Sequence, residues 1–298
     1  MAEGPKNLAA SVKARLLNMA RAEGRGFDIL LVRFALERLL FRLSKSQYRD
    51  RYVLKGGMLV TQWLEHDNRE TRDMDFLGFG SDDQEEIMVI FAEIMSMEFG
   101  DGLVFDAKAL AASPIREEME YGGIRLRTYA YLERTRIPIT LDIGFGDALA
   151  GPAQVIEYPS LLGMERPNIR SYPPETVIAE KFQAIVALGL ANGRMKDFYD
   201  LWAVPRTLPI DDKALDAAIA ATFARRETPV PDECPPGLSE AMSQDTAAGQ
   251  RWRAYIASLD QPDLTFPDVL AEIWATLSAS CARLSSLAIM QAPRCDGA

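Results

Sequence analysis

"RETRDMDFLGFG", residues 69–80, sets two aspartates one residue apart at the start of an apolar run. Side chains two positions apart on a strand share a face. Asp73 and Asp75 therefore converge on one side, while Met74 and Phe76 turn to the core. Carboxylates held that close repel and raise each other's pKa. A divalent cation removes this penalty, and hard Mg²⁺ prefers oxygen ligands of this kind. An isolated pair also reads plainly as surface charge at a strand end. The rest of the chain has to decide between the two.

A third carboxylate is the first help. In "IPITLDIGFGD", residues 137–147, Ile139, Leu141 and Ile143 line one face and Asp142 points the other way. If this strand lies beside 73–77, Asp142 joins the pair. Three carboxylates can hold two Mg²⁺ ions about 4 Å apart, which suits in-line phosphoryl or nucleotidyl displacement. Its plain alternative is a turn acceptor at a strand end. "LKGGMLV", residues 54–60, reads as a strand, two glycines and a helix start. Such a turn offers main-chain amides to phosphate. Gly56 and Gly57 allow close approach and Lys55 stands beside them, although the P-loop pattern is absent. Arg69 and Thr71 are placed to touch a nucleotide, and Arg72 faces away or pairs with an acid.

Further along, "AEKFQA" and "GRMKDFYDLW" place Lys181 on an apolar helix, with Asp197 and Asp200 three apart on the next. A snorkelling lysine and acids favoured by a helix N-terminus are the ordinary explanations. The functional one has Lys181 neutralising a triphosphate, with an aspartate orienting Lys181 or the incoming hydroxyl. Arg125 and Arg127 share one strand face. They would bind an acceptor backbone or, more plainly, pack against glutamates.

The 298 residues are 48% hydrophobic and 26% charged, ordinary for a globular chain, with net charge −10. No run of eighteen apolar residues is present, so no membrane span is expected. The first ten residues lack a signal pattern. Cys234, Cys281 and Cys295 have no metal-binding spacing and His66 is the sole histidine, so the chain reads as cytoplasmic, without a thiolate or histidine metal site. Charge is uneven. Between residues 11 and 55, eleven Lys and Arg stand against four acids. That stretch is a solvated helix face or a phosphate-backbone footprint.

Alternating and helical patterns follow one another up to about residue 147, predicting an α+β fold with a mixed β-sheet flanked by helices. The Pro-rich "YPSLLGMERPNIRSYPP" reads as a boundary. It divides the chain into an α+β domain with N-terminal helices, 1–157, and a helical C-terminal domain, 158–298, that contributes Lys181 and Asp197 or Asp200 to the cleft. "RWR" at 251–253 reads as a helix packing Trp252, and the tail as frayed.

Taken in order, K-G-G, R-x-T-x-D-x-D, L-D-I-G-F-G-D and A-E-K-F…R-M-K-D-F-Y-D make a combined pattern more specific than any part. From about residue 50 to 205 the chain resembles the AbiEii/AbiGii-type nucleotidyltransferases, toxins of type IV toxin–antitoxin systems. The resemblance implies a minimal nucleotidyltransferase fold with a helical C-terminal half. It implies Mg²⁺-dependent transfer of NMP from an NTP to an acceptor, in some relatives the 3′ end of tRNA, which would block growth in a toxin–antitoxin or phage-defence setting with a cognate antitoxin. On the matching positions, Gly56 and Gly57 are the phosphate loop and Asp73 and Asp75 the metal pair. Lys181 is the triphosphate lysine, and Asp197 or Asp200 the downstream catalytic aspartate. One departure is Gly57, where many relatives of the superfamily carry serine; only main-chain contacts remain there. Two other classes stay open: a nucleotide-binding partner module without catalysis, and a D-x-D glycosyltransferase, for which the chain lacks a series of βαβ units.

Overall fold

In the computed structural model, residues 7–64, 69–115, 122–259, 261 and 263–291 are described. The expectations for His66 and for the tail beyond residue 291, with Cys295, lie outside them. The elements in chain order are α1 (Leu8–Glu23), α2 (Phe27–Lys45), β1 (Tyr52–Lys55), α3 (Gly56–Trp63), β2 (Met74–Gly78), α4 (Gln84–Ser96), β3 (Leu103–Phe105), β4 (Ala111–Ile115), β5 (Gly123–Leu132), β6 (Thr135–Phe145), β7 (Gln154–Glu157) and β8 (Asn168–Ser171). Helices follow: α5 (Pro174–Leu188), α6 (Met195–Thr207), α7 (Asp212–Arg225), α8 (Glu240–Gln244), α9 (Thr246–Ala257) and α10 (Phe266–Gln291). The fold is α+β, as expected. No helix among the described residues is long and apolar enough to cross a membrane.

The chain forms two compact units. The first comprises residues 1–62, 70–146 and 153–172, and the second residues 63–69, 147–152 and 173–298. Relative to the expected boundary at 157/158, the first unit extends to Tyr172. The reason is that β7 and β8 lie inside the Pro-rich stretch and belong to its sheet. Four-residue strands are too short to show a period in sequence, and prolines are tolerated beside short strands at a sheet's end.

In the first unit the sheet order is β3-β5-β6-β2-β1-β8-β7, with β4 also pairing β5. β2 with β6 and β1 with β8 are parallel, and the other pairs antiparallel. Strand alternation builds the core. Met74 faces Leu141 and Phe76 faces Ile143 in the β2–β6 register, and all four are buried. Tyr52, Phe76 and Phe91 meet edge-on or tilted, with centroids 5.1–6.4 Å apart. Each such side chain contributes about 1.5–3 kcal/mol by leaving water. α4 is started by Asp83, whose carboxylate accepts from the Glu86 amide at 2.8 Å, one of the orphan donors of a first turn. α1 ends at Gly24, which takes the left-handed conformation at φ 66°.

The basic stretch of residues 11–55 is neither a bare solvated face nor a free footprint, because much of it is used inside this unit. Arg38 and Arg42 on α2 are each 2% exposed and converge on buried Asp101. Arg42 donates Nη1 to Asp101 Oδ2 at 2.6 Å and Nη2 to Oδ1 at 3.1 Å, and Arg38 donates Nε to Oδ2 at 3.1 Å. Burial would push the Asp101 carboxyl up, but the Arg42 hydrogen bond and charge hold it below the usual range. Lys13, Lys45 and Arg51 pair with Glu133, Glu165 and Glu86.

The second unit is helical. α5 opens with a proline at its first position, where no amide donor is needed. Phe182 of α5 packs on Phe223 of α7, and Phe198 of α6 meets Phe266 of α10 edge-on. Trp252 stacks on Phe266 at 5.1 Å and is 1% exposed, so the expected packing role of "RWR" is what its geometry shows.

Candidate active site

The face of the first unit's sheet opposite Met74 and Phe76 carries a row of charge. Lys55 on β1 is paired with Asp75 on β2, Asp75 with Asp142 on β6, and Asp142 with Arg125 on β5. Four adjacent strands thus present +, −, −, + in one line. Asp73 precedes Asp75 by two residues. Thr71, 8% exposed, donates its hydroxyl to Asp73 Oδ1 at 2.5 Å and so fixes that carboxylate.

The two glycines meet this row at the start of α3. The Gly57 amide donates to Asp75 Oδ2 at 3.3 Å, so one amide of the expected phosphate loop is turned to a carboxylate. Gly56 has φ 65°, and a Cβ there would lie 2.6 Å from Asp75 Cγ. Glycine at 56 is therefore required by Asp75 itself. Gly56→Ala should cost about 1–2 kcal/mol for the left-handed backbone alone. Because the carboxylate must also move, Mn²⁺ affinity should fall at least about tenfold, in line with losses on disturbing a ligand's supports. A thermal melt and a Mn²⁺ titration on the same sample check both effects.

The Asp75 carboxyl is pushed up to about 7. Burial is the main cause, and the Asp73 charge adds to it; Lys55 opposes, and Asp142 adds again. The carboxylate pair thus lacks sufficient positive charge, and a hard divalent cation would supply it. Asp73 and Asp75 fit such an ion. Among the described residues no three His, Cys, Asp or Glu groups already converge on one point. At this site Arg125 occupies the third carboxylate. Its Nε lies 2.7 Å from Asp142 Oδ1 and its Nη2 2.5 Å from Oδ2, so both oxygens of the third carboxylate are engaged. Arg125, expected at an acceptor backbone, is a partner of Asp142. Arg127 stands two residues on, exposed and opposite Thr140.

The second unit holds the other expected residues in a cluster of its own. Lys181 Nζ is 2.6 Å from Asp197 Oδ1 and 2.8 Å from Asp200 Oδ2. Arg69, expected at the nucleotide, is buried here and clamps Asp200 with Nε at 3.0 Å and Nη2 at 2.8 Å. Arg194 lies 2.7 Å from the remaining Asp197 oxygen as an ion pair, without hydrogen-bond alignment. Burial would drive Lys181 toward neutrality, but Asp197 and then Asp200 raise its pKa and keep it charged. Burial would likewise raise Asp200; the charges of Arg69 and Lys181 override this and hold it low, at about 2. Arg72 faces away and pairs with exposed Asp28 at 2.6 Å.

A carboxylate whose folded pKa is depressed adds stability above its unfolded pKa and loses it as pH falls through the folded value. Asp200 should therefore contribute on the order of 2 kcal/mol near neutral pH, lost between about pH 4 and pH 2. Urea midpoints of wild type and Asp200→Asn across that window should converge toward low pH. A constant gap would show that Asp200 does not titrate as described.

Sequence reasoning missed the Arg125–Asp142 pair, although a signal for it existed. Glu133 and Arg134 form a two-residue turn between Leu132 and Thr135. Counting seven steps out on each arm of the hairpin sets Arg125 against Asp142. The Arg69–Asp200 clamp, 131 residues apart in sequence, had no such local signal.

Comparison with known proteins adds three findings. A family model described as "Nucleotidyl transferase AbiEii toxin, Type IV TA system" matches residues 38–272. Two solved structures share part of the trace: a putative nucleotidyltransferase from H. pylori and JHP933 from Helicobacter pylori. Each is 15% identical at TM-score 0.46, covering 86% of this chain and 96% and 93% of those chains. No curated protein matches the chain significantly.

Proposed function

The chain belongs to the AbiEii family of nucleotidyl transferase toxins of type IV toxin–antitoxin systems, and on that premise we propose that it transfers NMP from an NTP to an RNA hydroxyl, the 3′ end of tRNA, with Mg²⁺. The observation that carries this reading is the row Arg125–Asp142–Asp75–Lys55, with Asp75 against the glycine start of α3 and Asp73 two residues before it. A cation bound by Asp73 and Asp75 would polarise the phosphates of the NTP. Asp142 accepts the proton of the acceptor hydroxyl. That oxygen attacks the α-phosphorus, the new P–O bond forms, and the bond to the β-phosphate breaks with pyrophosphate leaving. Lys55 and the α3 amides not held by Asp75 stabilise the leaving charge. The motif resemblance assigns Lys181 to the triphosphate; its support is that Asp197 and Asp200 keep the ammonium charged. Growth arrest, a cytoplasmic setting and a protein antitoxin complete the reading.

The test is incubation with each labelled NTP, Mg²⁺ and total cellular RNA. Label at the 3′ end of one RNA class, from one preferred NTP, is the expected result. Label on protein alone would overturn the RNA acceptor. One observation favours the reading without catalysis: Asp142 is fully engaged by Arg125. Pyrophosphate release dependent on Mg²⁺ excludes it.

A further inference from the structure

Two of the bidentate arginine–aspartate clamps among the described residues, Arg69–Asp200 and Arg125–Asp142, differ in exposure. Arg69 and Asp200 are 3% and 0% exposed, a pair closed to solvent. Arg125 and Asp142 are 35% and 17% exposed, so water and solutes reach the guanidinium. An ion pair that water reaches is weaker than a buried one and can exchange its partner for another anion. A guanidinium fork fits phosphate as well as it fits carboxylate.

We propose that Arg125 is a latch on the third carboxylate. It holds Asp142 away from the Asp73–Asp75 cation site until an anionic substrate takes over the guanidinium. The inference deepens the nucleotidyl-transfer reading and rests on it. Its basis is geometric. Asp142 sits between Asp75 and Arg125 in one register row, and both its oxygens face the arginine. Charge supports the same exchange. Asp73, Asp75 and Asp142 against Lys55 and Arg125 leave one net negative charge, which a single divalent cation reverses. A loaded site then attracts phosphate, and phosphate on Arg125 frees Asp142 for the acceptor hydroxyl or a second cation. By linkage, whatever weakens the latch must tighten cation binding. Arg125 is thus a positioning residue that makes the complete site conditional on substrate.

The experiment is a Mn²⁺ titration of nucleotide-free protein, read by the EPR signal of the free ion. The proteins are wild type, Arg125→Gln, Arg125→Lys, Asp142→Asn and the Arg125→Gln/Asp142→Asn double variant, each verified folded by thermal melting. Arg125→Gln should tighten Mn²⁺ about tenfold, the scale of a bidentate, partly exposed pair. Arg125→Lys should show a smaller gain, because one ammonium cannot hold both oxygens. The double variant should lose the gain, since it must act through Asp142. Unchanged or weaker Mn²⁺ binding in a folded Arg125→Gln, a gain surviving in the double variant, or no Mn²⁺ binding in any protein overturns the latch. A failure of NMP transfer by wild type sinks the functional reading alone, and the Mn²⁺ gain would still be readable.

Discussion

Replacing Asp75 by asparagine should lower nucleotide incorporation at least about a hundredfold, since a ligand itself should matter no less than the supports around ligands. The substitution keeps the shape of the side chain and the acceptor for the Gly57 amide. It removes the charge at the centre of the row. Stability should move the other way. A carboxyl whose pKa is raised to about 7 favours the folded state when protonated, below about pH 4, and that advantage is lost as pH rises through about 7. In metal-free buffer at pH 8 the wild type carries this unfavourable charge and Asp75→Asn does not. The variant should therefore melt at or above the wild-type temperature and lose the wild type's decline from pH 4 to 8. Added Mg²⁺ should raise the wild-type melting temperature and leave the variant's unchanged. A stable variant with wild-type incorporation would remove Asp75 from the chemistry.

The largest stability effect is expected outside that row, at Asp101. Asp101→Ala leaves two arginines, each 2% exposed, without their shared carboxylate. Breaking a buried pair by removing one partner costs about 3–5 kcal/mol, because the remaining charge is uncompensated. Here the main-chain bonds from Arg42 to Met97 and to Arg38 persist and keep the guanidinium from swinging out. The expected result is a loss near the upper end of that range in urea unfolding. Arg42→Met should be milder than Asp101→Ala, since Arg38 continues to pair with the carboxylate.

Much of the site was legible because its residues obey short-range rules. Alternation put Met74 and Phe76 inward and Asp73 and Asp75 together, and the same rule aimed Asp142 away from Ile139, Leu141 and Ile143. What stayed hidden involves partners far apart in the chain. Arg69 stands four residues before Asp73 and reads as a neighbour of the nucleotide, yet its charge is taken by Asp200. Thr71 has the same reading and instead supports Asp73. The basic stretch from 11 to 55 looks like a surface in isolation. Asp101, which draws Arg38 and Arg42 inward, lies 63 and 59 residues downstream. Periodicity reports which face a residue occupies; it does not report which charge from another element will stand opposite.

The turn at Glu133 and Arg134 acts as a ruler. It lies seven pairs from Arg125 and Asp142, about 24 Å along the strands, and touches neither. Yet, with a two-residue turn kept, the length of that tip sets which residues of the two arms meet. One residue added there would bring Arg125 opposite Leu141, a core position, unless a bulge restored the phase. Two residues added symmetrically would only lengthen the loop. Chains with odd and even changes at this tip should therefore part sharply, the even ones keeping the charge row and the odd ones keeping it only with a compensating bulge between tip and site.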